Sequence, residues 1–296
     1  MIFILIYLAI GLLLGNSPRN QDGQMAKALA TFAINVALPA LILKHLHAIP
    51  LDSSAVLPMV APFLVFFSAF VLVLGLWKTG RLDRGTAGCL VLVCGTGNTS
   101  IVGIPLIEAF YGAEATGYTV IFDQANFIVM TVLGLLAANY FSADPKDEQS
   151  IFRKIVTYPP MVATLAALAL RPVDFPLWLD EGLTTLGSTL TPLAIVSVGA
   201  SLRIREVAGE RKMIALGLTG KLLLVPLLVM VLLLPLVNDS NSLAYQVSVL
   251  QAGMPPMIVA GIIAMEKNLN PVLSSALISL GIPVSFVTVY LFTLLL

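Results

Sequence analysis

The chain has 296 residues, 58% of them hydrophobic and 11% charged, and its mean hydropathy is +0.97. Soluble domains carry roughly 25% charged residues, so this composition excludes a soluble enzyme or a nucleic-acid-binding module and leaves a polytopic membrane protein. The formal net charge is zero, yet the charges are unevenly placed along the chain.

Residues 1–15 are apolar, with no Lys or Arg before Arg19. A secretory leader needs a basic start and a small-residue cleavage site. Neither is clear, so a retained first span is expected. Apolar windows predict ten spans, near 2–16, 26–46, 55–77, 86–110, 115–141, 153–171, 181–202, 212–237, 243–265 and 271–296. The polar stretch 142–152 falls at the midpoint and divides the chain into two five-span halves, 1–141 and 153–296.

Basic residues alternate between the connections. Arg19, Lys27, Lys78, Arg81, Arg84, Lys146, Arg153, Lys154, Arg203, Arg205, Arg211, Lys212 and Lys267 fall on one side, and Lys44 and Arg171 on the other. Cytoplasmic loops hold the excess of Lys and Arg. The richer side is therefore predicted to be cytoplasmic, in the inner membrane, with both termini outside. Five spans per half is an odd number, so the second half must be inverted relative to the first, a common transporter design.

Two spans are interrupted. Cys94-Gly95-Thr96-Gly97-Asn98-Thr99-Ser100-Ile101-Val102-Gly103-Ile104-Pro105 breaks the fourth, and Gln251-Ala252-Gly253-Met254-Pro255-Pro256 breaks the ninth. Gly adds backbone freedom and Pro removes a hydrogen bond. Backbone groups freed at membrane depth must pair with protein, water or a ligand. Interrupted spans at matching places in two halves point to a substrate site.

Charges inside spans cost roughly 3 kcal/mol or more, so each needs a reason. Asp123 lies about 13 Å into the fifth span at 1.5 Å per residue, followed by Gln124 and Asn126. Lys221 lies inside the eighth. Asp123 reads as a proton or ion site and Lys221 as a counter-charge for an anion. A structural Asp123–Lys221 pair, or a snorkelling lysine, fits the same pattern. Asn98, Thr99, Ser100 and Gln251 offer neutral polar groups beside the breaks, and half-helix N-termini favour an anion. Asn35, Thr191 and Ser197 read as cavity-lining or helix-bonding groups, His45 and His47 as interfacial, and Glu108 and Glu114 as solvated. Cys89 and Cys94 suggest neither a disulfide framework nor a metal site. An intramembrane protease would need a paired-Asp, Ser/His or H-E-x-x-H constellation, and Asp123 stands alone, so no enzymatic activity is expected.

The run Asn98-Thr99-Ser100-Ile101-Val102-Gly103-Ile104-Pro105-Leu106, with Tyr111-Gly112, resembles the auxin efflux carrier family. So does Gln251-Ala252-Gly253-Met254-Pro255, with Glu266-Lys267-Asn268-Leu269-Asn270-Pro271. The resemblance implies an all-α fold of ten transmembrane helices in two inverted five-helix repeats, with helices four and nine broken and crossing. It implies scaffold helices 1, 2, 6 and 7, transport helices 3–5 and 8–10, an elevator-like motion and a homodimer. Asn98 matches the substrate-contacting Asn of the plant carriers, and Pro105 and Pro255 match their crossover prolines. The short midpoint loop looks like that of bacterial relatives, which are associated with dicarboxylates such as malate or malonate, so the resemblance implies malate- or malonate-like or auxin-like carboxylates as substrates. The related bile-acid symporters use sodium.

The expected function is secondary export of small organic anions, with sodium-coupled import as the alternative, and with proton or sodium coupling but no bound cofactor. The candidate substrate-binding residues are Asn98, Thr99, Ser100, Gln251 and Met254. Those shaping the breaks are Gly97, Pro105, Gly253 and Pro255. Those for coupling or counter-charge are Asp123, Asn126 and Lys221.

Overall fold

A computed structural model describes residues 2–15, 24–48, 55–142, 157–201, 210–236 and 243–296. Among these residues the chain is helical, without strands. The predicted midpoint loop lies almost wholly outside the described residues. Twelve helical segments follow in chain order: α1 Ile2–Gly15, α2 Gln24–Leu46, α3 Val56–Lys78, α4 Arg84–Gly95, α5 Thr99–Tyr111, α6 Ala113–Phe141, α7 Pro159–Ala169, α8 Leu177–Ala200, α9 Arg211–Leu236, α10 Leu243–Ala252, α11 Ile258–Glu266 and α12 Pro271–Thr293.

Six of these, α2, α3, α6, α8, α9 and α12, are long and apolar enough to cross a membrane. The windows at 86–110 and 243–265 each divide into two short helices, α4/α5 and α10/α11, because their Gly and Pro residues stop the α-helical ladder. Large apolar side chains such as Val71, Val231 and Val287 are exposed on the long helices, as expected for faces turned to lipid rather than water.

Local chemistry sets several boundaries. Asp83 caps α4 by accepting the Thr86 backbone N–H at 2.9 Å. Asn270 caps α12 from a left-handed conformation, φ 47°, and accepts the Leu273 N–H at 3.2 Å. Four helices contain a π-helical turn: Ala33–Ala37 in α2, Thr99–Gly103 in α5, Met130–Gly134 in α6 and Gly220–Leu224 in α9. Such turns loosen the hydrogen-bond ladder and are frequent at functional sites.

Helices α1, α2, α7 and α8 pack on one another, and α3–α6 pack with α9–α12. The α1–α8 contact is close because Gly11 and Gly199 face each other. A Cβ on Gly199 would lie 2.9 Å from the Gly11 Cα, so only small residues permit this approach. Lys44 and Asp180 form an ion pair between α2 and α8. The two clusters meet mainly where α8 lies along α5 and where α2 and α7 touch α6. The two breaks lie inside the second cluster, beside that meeting surface.

Candidate functional site

The site is the point where the two interrupted segments touch. Gly97 and Pro256 form an isolated antiparallel bridge. The Asn98 backbone N–H donates to the Pro255 carbonyl at 2.8 Å. Breaking a helix frees backbone groups, and each break here satisfies part of the other.

Asn126 on α6 holds the first break from the side. Its Nδ2 donates to the Gly97 carbonyl at 2.9 Å and to Thr99 Oγ1 at 3.1 Å, while its Oδ1 accepts the Gly97 N–H at 3.4 Å. One turn earlier on α6, Asp123 accepts the Thr99 hydroxyl at 2.6 Å and the Ser100 hydroxyl at 2.5 Å on one oxygen. Its other oxygen accepts Gln124 Nε2 at 3.3 Å. The buried carboxylate thus sits at the N-terminal turn of α5, where the helix dipole favours negative charge.

From the second break, Gln251 Nε2 donates to the Thr99 carbonyl at 3.4 Å. A side chain on Gly103 would run into the Gln251 carboxamide, so glycine is what lets α10 come this near α5. Met254 is buried at the crossing, just before Pro255, and Gly253 ends α10 with its N–H on the Leu250 carbonyl at 3.0 Å. Pro105 follows on the same segment as Gly103. It is buried at the start of the helical run Ile104–Tyr111, after the π turn.

Lys221 reaches the crossing from the π turn of α9 and donates to the Ala252 carbonyl at 3.2 Å. It does not pair with Asp123. Lys44–Asp180 is the ion pair among the described residues, so the two membrane-depth charges have different partners.

Three buried side-chain atoms here have no hydrogen-bond partner among the described residues: Asn98 Nδ2, Gln251 Oε1 and Gln124 Oε1. Buried polar atoms without a partner are rare and call for an explanation. One orphan is a donor and two are acceptors, so the crossing offers hydrogen-bonding capacity that the chain does not use.

Other expected residues fall elsewhere. Asn35 is exposed in the π turn Ala33–Ala37 of α2, which packs near the π turn of α5. Ser197 donates to the Ala194 carbonyl of its own helix at 2.7 Å. Glu108 is half-buried rather than solvated and accepts the Thr191 hydroxyl at 3.3 Å, linking α5 to α8. Tyr158 stacks on Phe127 with ring centroids 3.9 Å apart and so links α6 to the start of α7. Thr191 was expected as a helix-bonding group, but neither its partner nor the Tyr158–Phe127 link was visible in the sequence, because no spacing rule joins residues so far apart along the chain.

Two interrupted helices that meet at their breaks, with a buried Asp, a buried Lys and unpaired amides, fit a membrane transporter. Comparison with known proteins agrees. The family described as membrane transport protein matches residues 1–293, and the chain belongs to this family, that of the auxin efflux carriers. An uncharacterized transporter of Methanothermobacter thermautotrophicus is 28% identical over 280 residues, covering 92% of this chain and 89% of that one. An uncharacterized transporter of Methanocaldococcus jannaschii is 24% identical over 187 residues, 60% of each chain.

Proposed function

We propose that the protein is a secondary transporter that exports small organic anions from the cytoplasm through the inner membrane, with the substrate carboxylate held at the crossing. The observation that carries this reading is Asn98 Nδ2, a buried donor without a partner among the described residues. It stands next to the N-terminal turn of α5, whose free N–H groups and dipole suit an anion. Thr99 and Ser100 lie in the same turn, and Gln251 and Met254 close the site from the other segment. Malate- or malonate-like dicarboxylates are the first substrates to test, and auxin-like acids the second.

The two helix clusters support an elevator-like exchange. Helices α1, α2, α7 and α8 form the scaffold, and the cluster bearing the crossing moves along it. In this reading the ten helices form two inverted repeats, 1–141 and 153–296, joined by a cytoplasmic loop at 142–152, with both termini outside and two copies in the assembly. Asp123 couples the cycle to a proton or cation, since its carboxylate is held by neutral donors alone. The unpaired Gln124 Oε1 beside it favours a second reading, sodium-coupled import, because it is a free oxygen ligand next to a carboxylate.

Counterflow in proteoliposomes tests both. Labelled malonate, malate and indole-3-acetate are followed with and without sodium and across imposed pH gradients. Saturable exchange of a carboxylate without sodium is the expected result. Sodium-dependent uptake would select the second reading, and exchange of neutral or cationic solutes alone would overturn both.

A further inference from the structure

Lys221 has a fully buried side chain. A buried charge is costly unless paired, and among the described residues no carboxylate lies within ion-pair distance of it. What surrounds it instead is helix ends. Its Nζ donates to the carbonyl of Ala252, the last residue of α10. A Cβ on Gly97 would begin 3.5 Å from the same nitrogen, and α4 ends just before, at Gly95. The C-terminal end of α10 and the turn that follows α4 therefore meet at one ammonium.

A helix C-terminus presents carbonyls without intrahelical partners and roughly half a negative charge. Such an end makes a place for a cation. Asp123 shows the complementary arrangement at the N-terminal turn of α5. Each half-helix end that meets a buried charge meets the sign that its dipole favours.

We infer that Lys221 is a tethered monovalent cation, its ammonium filling a cation site made by the C-terminal end of α10 and the turn that follows α4. The crossing then needs no dissolved ion at that position and carries one fixed positive charge through the transport cycle. Without the lysine, the same site would take a small monovalent cation such as ammonium or sodium. The inference concerns the ion at α4 and α10 and does not depend on which substrate is carried.

The test is the melting temperature of purified Lys221→Ala and Lys221→Met in choline, sodium, ammonium and methylammonium chloride at equal ionic strength. Lys221→Ala should melt below the wild type in choline. A cation that binds the folded state should raise its melting temperature saturably, by roughly 5–10 °C at a hundred times its Kd. The wild type should not respond to the same exchange. Lys221→Met fills the space without charge, so it should melt below the wild type and stay there in every salt. A Lys221→Ala protein that folds only in ammonium or sodium counts as rescue. A Lys221→Ala protein indifferent to all four salts would overturn the inference. So would a Lys221→Met protein that melts with the wild type, which also decides the matter if Lys221→Ala folds in none of them.

Discussion

Asn98 is fixed through its backbone to Pro255, N–H to carbonyl, at 2.8 Å, while its side-chain Nδ2 has no partner among the described residues. The main chain of this residue joins the two breaks, and its amide remains unused. Structural and functional effects can therefore be separated by mutation. A side-chain change at Asn98 leaves the joining hydrogen bond in place.

Asn126 should behave differently, because its side chain does the joining. Asn126→Ala removes both donors and the acceptor that hold Gly97 and Thr99. Leaving buried peptide groups unpaired costs about 1–3 kcal/mol each, so a total loss of about 3 kcal/mol or more is expected. Thermal unfolding of the purified variant checks it, and a loss below about 1 kcal/mol would mean that the hydrogen bonds are not what holds the break.

Gly103 and Gln251 should be coupled. Gly103→Ala drives a methyl into the Gln251 carboxamide, and overpacking typically costs about 1–3 kcal/mol. Shortening the obstacle in Gly103→Ala/Gln251→Ala should return part of that. A double-mutant cycle is therefore expected to show an interaction energy of at least about 0.5 kcal/mol. Additive losses would place the strain elsewhere.

The Glu108–Thr191 hydrogen bond spans the two helix clusters, so it belongs to one arrangement of them. Thr191→Val should lower stability by less than about 1.5 kcal/mol while raising hydrogen exchange at the facing stretches of α5 and α8. Unchanged exchange there would mean that the contact does not hold the clusters together.

Asp83 gives a pH dependence outside the membrane-spanning segments. Partial burial pushes its carboxyl up, but hydrogen bonds from the Thr86 side chain and from the Thr86, Asp83 and Gly85 backbone outweigh this and leave it below its ordinary 3.8. A depressed carboxyl stabilises the fold above its unfolded value and loses that effect as pH falls through the folded value. Asp83→Ala should cost about 1 kcal/mol near pH 7, and the gap between the two proteins should close as the pH drops below 3.8. Asp83→Ser, which can still cap α4, should recover most of the loss.

Some of this was legible in the sequence. Gly97, Gly103, Pro255 and Pro256 announced two interrupted segments, because an apolar run long enough to cross a bilayer does not otherwise collect such residues. Asp123 and Lys221 stood out because charge is costly at membrane depth. Their separation was not legible. Two opposite charges in one protein invite pairing, and only the positions of the helix ends show why each stands alone. The π turns at Thr99–Gly103 and Gly220–Leu224 were also hidden, since they arise from how α5 and α9 meet their neighbours rather than from a residue pattern. The same holds for the clamp that Asn126 forms on the peptide of Gly97.

Ligand-induced thermal stabilisation decides whether the crossing holds a carboxylate through Asn98. Purified wild type and Asn98→Ala are melted with mono- and dicarboxylates, indole acids, and neutral and cationic solutes of similar size. A ligand that binds only the folded state raises the melting temperature by mass action. A carboxylate should stabilise the wild type, and this shift should disappear in Asn98→Ala, which itself melts close to the wild type. A carboxylate shift that survives intact in Asn98→Ala, or stabilisation by neutral or cationic solutes instead, would contradict it.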